Sequence, residues 1–65
     1  MNIKHFQDTD TLHIEFRKDA VTESCDLDQD TLLDLNAAGN IVAITVEHAR
    51  QRADITHFSF EQVAA

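Results

Sequence analysis

Hydrophobic and polar residues alternate with a period of two through most of this chain. Leu12, Ile14 and Phe16 are spaced by His13, Glu15 and Arg17, the signature of a strand with one buried face. A shorter strand precedes it at residues 2–6, ending at the Gln7–Asp10 turn. Residues 21–27 alternate as well, with Val21, Cys25 and Leu27 on one parity. Glu23 falls on that same parity, which predicts an edge strand. Leu32 to Leu35 form a fourth strand with Leu33 and Leu35 inward. The Ala37-Ala38-Gly39-Asn40 stretch reads as a hairpin turn that places the only glycine where a left-handed backbone is required. In the fifth strand, Ile41 to Val46, both parities are apolar, so a central position or a cover from another subunit is expected.

Helical signals are confined to the end of the chain. Residues 48–54 have helix-favouring composition, with Ala49 and Ala53 one turn apart. Ser59 and Gln62 fit a capping box, and Phe58 with Val63 fits the accompanying staple, which predicts a helical turn from 59 onward. The competing reading is a sixth strand with Phe58 and Phe60 on one face. The fold expected is α+β, mainly β: one domain over residues 1–65, an antiparallel β-meander of about five strands, and a short C-terminal helical segment. The expected core is Ile3, Phe6, Leu12, Ile14, Phe16, Val21, Leu27, Leu33, Leu35, Val42, Ile44 and Val46.

Size changes the picture. A chain of 65 residues buries only about 60% of its unfolded surface, so a staple or a partner is needed. Cys25 is the only cysteine, which excludes an internal disulfide and disfavours a zinc knuckle. A homo-oligomer, such as a dimer, is therefore expected, with Ile41, Ala43, Phe58 and Phe60 as interface candidates. No apolar run approaches bilayer length and no signal-peptide pattern opens the chain, so a cytoplasmic setting is expected. Twelve acids against five bases give a net charge of -7. That disfavours direct nucleic-acid binding, which needs cations to displace phosphate counterions, and would steer a small basic protein toward the surface.

The pentad Asp8-Thr9-Asp10-Thr11-Leu12 recurs as Asp28-Gln29-Asp30-Thr31-Leu32. The strands that follow differ in parity: Leu12 shares the inward face with Ile14 and Phe16, whereas Leu33 and Leu35, not Leu32, point inward. The repeat therefore reads as one turn solution used twice rather than a duplicated active site.

With its acidic turn, Leu-x-Ile-x-Phe strand, acidic strand, Leu-x-Asp segment, Gly-Asn-Ile-Val-x-Ile-x-Val run and Ala-containing helical start, the chain resembles a family of very short bacterial and archaeal proteins known as domain of unknown function twenty-two eighty-three. The pattern maps onto Asp8, Asp10, Leu12, Ile14, Asp34, Gly39, Asn40, Ile41, Val42, Ile44 and Ala49, within residues 1–52. His13 stands where the family has an aromatic residue and Ala43 where it has glycine. The resemblance implies no established activity. Some relatives look like gene neighbours of small toxin-like proteins, so it implies an antitoxin-like partner role.

Candidate chemistry is sparse. Asp26, Asp28, Asp30 and Asp34 match the first ligand positions of a calcium loop, but Thr31 replaces its glycine and Ala37 its bidentate glutamate. His13 and Glu15 share a polar strand face, and His48 ends another strand. With Asp28 and Asp30, these are the weak metal candidates, and a metal-binding protein or small metal-dependent hydrolase is the alternative function. Cys25 has no basic residue nearby and several acids, which disfavours a thiolate nucleophile. Ser24 and Ser59 lie in no nucleophile context. No catalytic residue and no cofactor is assigned, and the expected function is a non-enzymatic interaction module.

Overall fold

The computed structural model describes residues 1–64 and contains five strands followed by one short helix. These are β1 (Asn2–Phe6), β2 (Thr11–Glu15), β3 (Glu23–Asp28), β4 (Thr31–Leu35), β5 (Ile41–Val46) and α1 (Ala49–Arg52). All pairings are antiparallel and the sheet order is β1-β2-β5-β4-β3. The mainly β class with a short helix is the one expected. Within it, β3, β4 and β5 run as a meander, while the Phe16–Thr22 connection carries the chain from β2 to the far edge. That order is a Greek-key arrangement.

Local chemistry accounts for each reversal. In the β4–β5 turn, the Asn36 side chain accepts the amides of Ala38 at 3.0 Å and Asn40 at 2.9 Å, and Gly39 has φ 83°. In the β3–β4 turn, the Asp28 carboxylate accepts the Asp30 amide at 2.9 Å. The long connection is pinned where Phe16 N–H donates to the Val42 carbonyl at 2.7 Å and Thr22 N–H to Leu35 at 2.9 Å. Asn36 Nδ2 also donates to Asp19 at 2.9 Å.

Register sorts the side chains into two faces, because alternate residues of a strand point to opposite sides. Ile3, Ile14, Ile44, Leu33 and Cys25 form one cross-strand row. On the same face, the adjacent row is His5, Leu12, Val46, Thr31 and Asp28. The opposite face carries Lys4, His13, Thr45, Leu32 and Asp26, then Asn2, Glu15, Ala43, Asp34 and Ser24. The edge position of β3 and the central position of β5 agree with their patterns.

The core is smaller than expected. Among the described residues the buried hydrophobics are Leu12, Val42, Ala43 and Ala49, and no large side chain is fully buried. Ile14, Leu33, Leu35, Ile44 and Val46 are half-buried, whereas Ile3, Phe6, Phe16, Val21 and Leu27 are exposed. A single sheet with a four-residue helix lacks the second layer that would cover them. Leu27 sits at the register shift between Asp26 and Asp28, where a bulge leaves one residue unpaired. Val21 precedes β3 and lies outside the sheet.

The tail departs from both sequence readings. Helix forms at Ala49–Arg52, with Ala53 N–H donating to Ala49 at 2.9 Å, as the spaced alanines predict. From residue 57 to 64 there is neither helix nor strand, and Ala65 lies outside the described residues. Ser59, Gln62, Phe58 and Val63 therefore frame no helix; nucleating an isolated short helix is unfavourable without a surface to pack against.

Candidate functional site

The densest polar cluster lies at the end of β5, where both acidic turns converge on α1. Because β5 is flanked by β2 and β4, the β1–β2 and β3–β4 turns sit on either side of its C-terminal end. The Asp10 carbonyl accepts the Ala49 amide at 3.0 Å, and the Asp30 carbonyl accepts the Glu47 amide at 2.7 Å. The repeated pentads thus hold one chain segment from both sides.

Side chains reinforce the clamp. The Asp10 carboxylate accepts the Arg50 amide at 3.1 Å and lies 2.8 Å from His5 Nε2. Its pKa is lowered, chiefly by the His5 hydrogen bond; desolvation opposes this, and the Arg50 amide and charge assist. Arg52 places both terminal nitrogens on the Asp28 carboxylate, at 2.9 and 3.2 Å. Those bonds, with the Asp30 amide, hold Asp28 far below the usual carboxylate range. The same pairing raises Arg52. His48 Nδ1 lies 3.2 Å from Asp30, and the residue adopts a left-handed backbone (φ 53°) at the helix start.

The weak metal candidates are dispersed by these partnerships. His13 Nδ1 bonds the Thr45 hydroxyl at 2.9 Å on the face opposite the isoleucine row, and Glu15 lies beside it on that face. Strands β2 and β5 are neighbours, but His48 turns to Asp30, and Asp28 is engaged by Arg52. Among the described residues, no three metal-ligating side chains converge. Ser24 donates to Asp34 at 2.6 Å, and Cys25 is half-exposed with its sulfur 3.8 Å from Glu23. A cleft of about 180 Å³ between β4 and β5, lined by Asp26, Asp30 and Glu47 among others, falls short of the roughly 300–1,000 Å³ typical of ligand pockets.

Of the interface candidates, Ile41, Phe58 and Phe60 are exposed, Phe60 to 83%. Ala43 is only 3% exposed. It is the smallest side chain in its row, set between Glu15 and Asp34, and offers almost no area to a partner. Met1 and Phe6, absent from the candidates, are exposed alongside Ile3. The alternation of β1 shows which residues share a face, but its outer edge becomes apparent only from the strand order.

The family model described as "Protein of unknown function (DUF2283)" matches residues 2–50. The chain belongs to this family. The DUF2283 match spans all five strands and the first residues of α1, so the main-chain clamp made by the twin turns falls inside it, while Arg52 lies beyond it. No curated protein and no solved structure matches the chain. Among the described residues, no helix is long and apolar enough to cross a membrane.

Proposed function

We propose that this DUF2283 chain is a non-enzymatic interaction module that completes its fold by associating with a second copy of itself. The supporting observation is the incomplete core: among the described residues Leu12, Val42, Ala43 and Ala49 are the buried hydrophobics, while Met1, Ile3 and Phe6 at the β1 edge stay exposed. A dimer supplies the missing apolar area at no cost in new sequence. The catalytic alternative is disfavoured because histidines and carboxylates are spent pairwise on local contacts rather than aimed at a common point. The lone thiol of Cys25 fits a reducing, cytoplasmic setting.

Sedimentation across a dilution series, followed in parallel by far-UV circular dichroism, tests this reading. Loss of sheet signal as the dimer dissociates is expected; a well-folded monomer at low concentration would overturn it. A second reading, a small basic protein partner, is favoured by the net charge of -7 and by Glu23, Asp26 and Asp28 along the β3 edge. Co-expression with the neighbouring gene product tests it, and absence of a complex sinks it. Calorimetry with calcium, zinc and manganese tests the metal-dependent alternative. Saturable micromolar binding lost in His13→Ala or Asp30→Ala would restore that alternative.

A further inference from the structure

Resting on the self-association reading, we infer that the contact is the outer edge of β1, paired antiparallel with β1 of a second copy. The sheet has two free edges, and they differ in chemistry. β3 carries Glu23, Asp26 and Asp28 and is interrupted by a bulge. Charges and bulges are the features that block edge-to-edge pairing. β1 reads Asn2-Ile3-Lys4-His5-Phe6, with no acid, no proline and an uninterrupted register against β2.

Charge points the same way. A molecule of net charge -7 meets its own copy with least repulsion where acids are absent. The first acid in the chain is Asp8, so Met1 to Gln7 form an acid-free stretch that includes Lys4. Exposed apolar groups concentrate there too: Met1 at 74%, Phe6 at 49% and Ile3 at 39%. Phe60 from the tail joins Met1, Asn2 and Ile3 around an open cleft of about 480 Å³.

Centred on Ile3, the pairing sets Ile3 against the second copy's Ile3 and Asn2 against its Lys4. Centred on Lys4, it would oppose two ammonium groups, which is unfavourable. The Ile3 register therefore wins. It carries the Ile3, Ile14, Ile44 and Leu33 row across the twofold axis into one continuous sheet, five strands from each copy. It also brings the two Phe60 rings to the seam. The closed twofold contact uses up β1 in both copies and leaves only the acidic β3 edges outermost, so assembly stops at the dimer.

Sedimentation equilibrium of the full chain, compared with Ile3→Asp and Glu23→Lys, tests this assignment. Ile3→Asp should weaken association by about tenfold or more, while Glu23→Lys leaves the contact intact. Hydrogen exchange on the unaltered dimer provides a readout independent of variant folding: the outward-facing amides of β1 from Asn2 to His5 should be protected, and those of the β3 edge should not. A folded Ile3→Asp chain that associates like wild type would overturn the assignment. So would a dimer whose outward-facing β1 amides exchange as fast as those of the β3 edge. A wild-type chain that stays monomeric would instead remove the self-association reading itself.

Discussion

Asp10 and Asp30 occupy equivalent stations on opposite sides of β5, each offering its main-chain carbonyl to the segment that leaves the strand. Asp10 receives the Ala49 amide at 3.0 Å and Asp30 the Glu47 amide at 2.7 Å. The repeated acidic turns are therefore two halves of one clamp that sets where α1 begins.

The clamp is acid-labile. Asp28, Asp10 and Asp54 all have pKa values lowered from an ordinary 3.8, through Arg52, His5 and the Thr56 hydroxyl respectively as leading causes. A carboxylate lowered on folding stabilises the native state above its unfolded pKa and loses that contribution as pH falls through the folded value. Stability at fixed protein concentration should hold from neutral pH to about pH 4 and then fall. Asp28→Asn should be less stable at neutral pH and show a shallower decline below it, as read by urea midpoints across pH.

Disrupting one half of the clamp should loosen α1 without unfolding the sheet. Asp10→Ala removes the carboxylate that accepts the Arg50 amide. Hydrogen exchange at Arg50 should accelerate by about tenfold, one lost hydrogen bond's worth. Asp8→Ala, whose carboxylate bonds only the adjacent Thr9 amide among the observed contacts, should leave Arg50 unchanged.

Two of the three left-handed positions, Asp10 being the third, should respond in opposite directions. His48 has φ 53° and Gly39 has φ 83°. His48→Gly relieves a side-chain penalty of about 1 kcal/mol, offset in part by the lost Asp30 contact. Gly39→Ala introduces the same penalty, and no atom lies within 4 Å of the added Cβ. Its cost should therefore be purely conformational, about 1 kcal/mol by urea denaturation.

The buried positions should tolerate little change in volume. Ala49 is 0% exposed; Ala49→Leu should cost about 1–3 kcal/mol by overpacking and displace α1. Leu12, the largest of the four buried side chains, should cost about 2–5 kcal/mol as Leu12→Ala. In a chain this small, that loss should show as a chain unfolded at low concentration.

Strand positions and turns were legible because their signals are local. Period-two alternation marked β2, Glu23 on the apolar parity marked an edge, and Gly39 marked the left-handed turn. The clamp was not legible. The repeat of Asp10 in Asp30 is visible in the chain, but the common recipient of both carbonyls lies at residues 47 and 49, reached only after β5 inserts between the two hairpins. The metal candidates failed to converge for the same reason: His48 meets Asp30 across that corner while His13 remains on the opposite face.

By itself, the sequence determined the β class, the number and approximate places of the strands, the turn chemistry and the family, since each depends on neighbours within a few residues. Only the tertiary structure decided which strand lies beside which, and hence which edge is bare and which turns meet. That choice belongs to the Phe16–Thr22 connection, whose anchors at Val42 and Leu35 are long-range hydrogen bonds. Such bonds leave no periodicity in the chain, because backbone amides and carbonyls are the same at every residue.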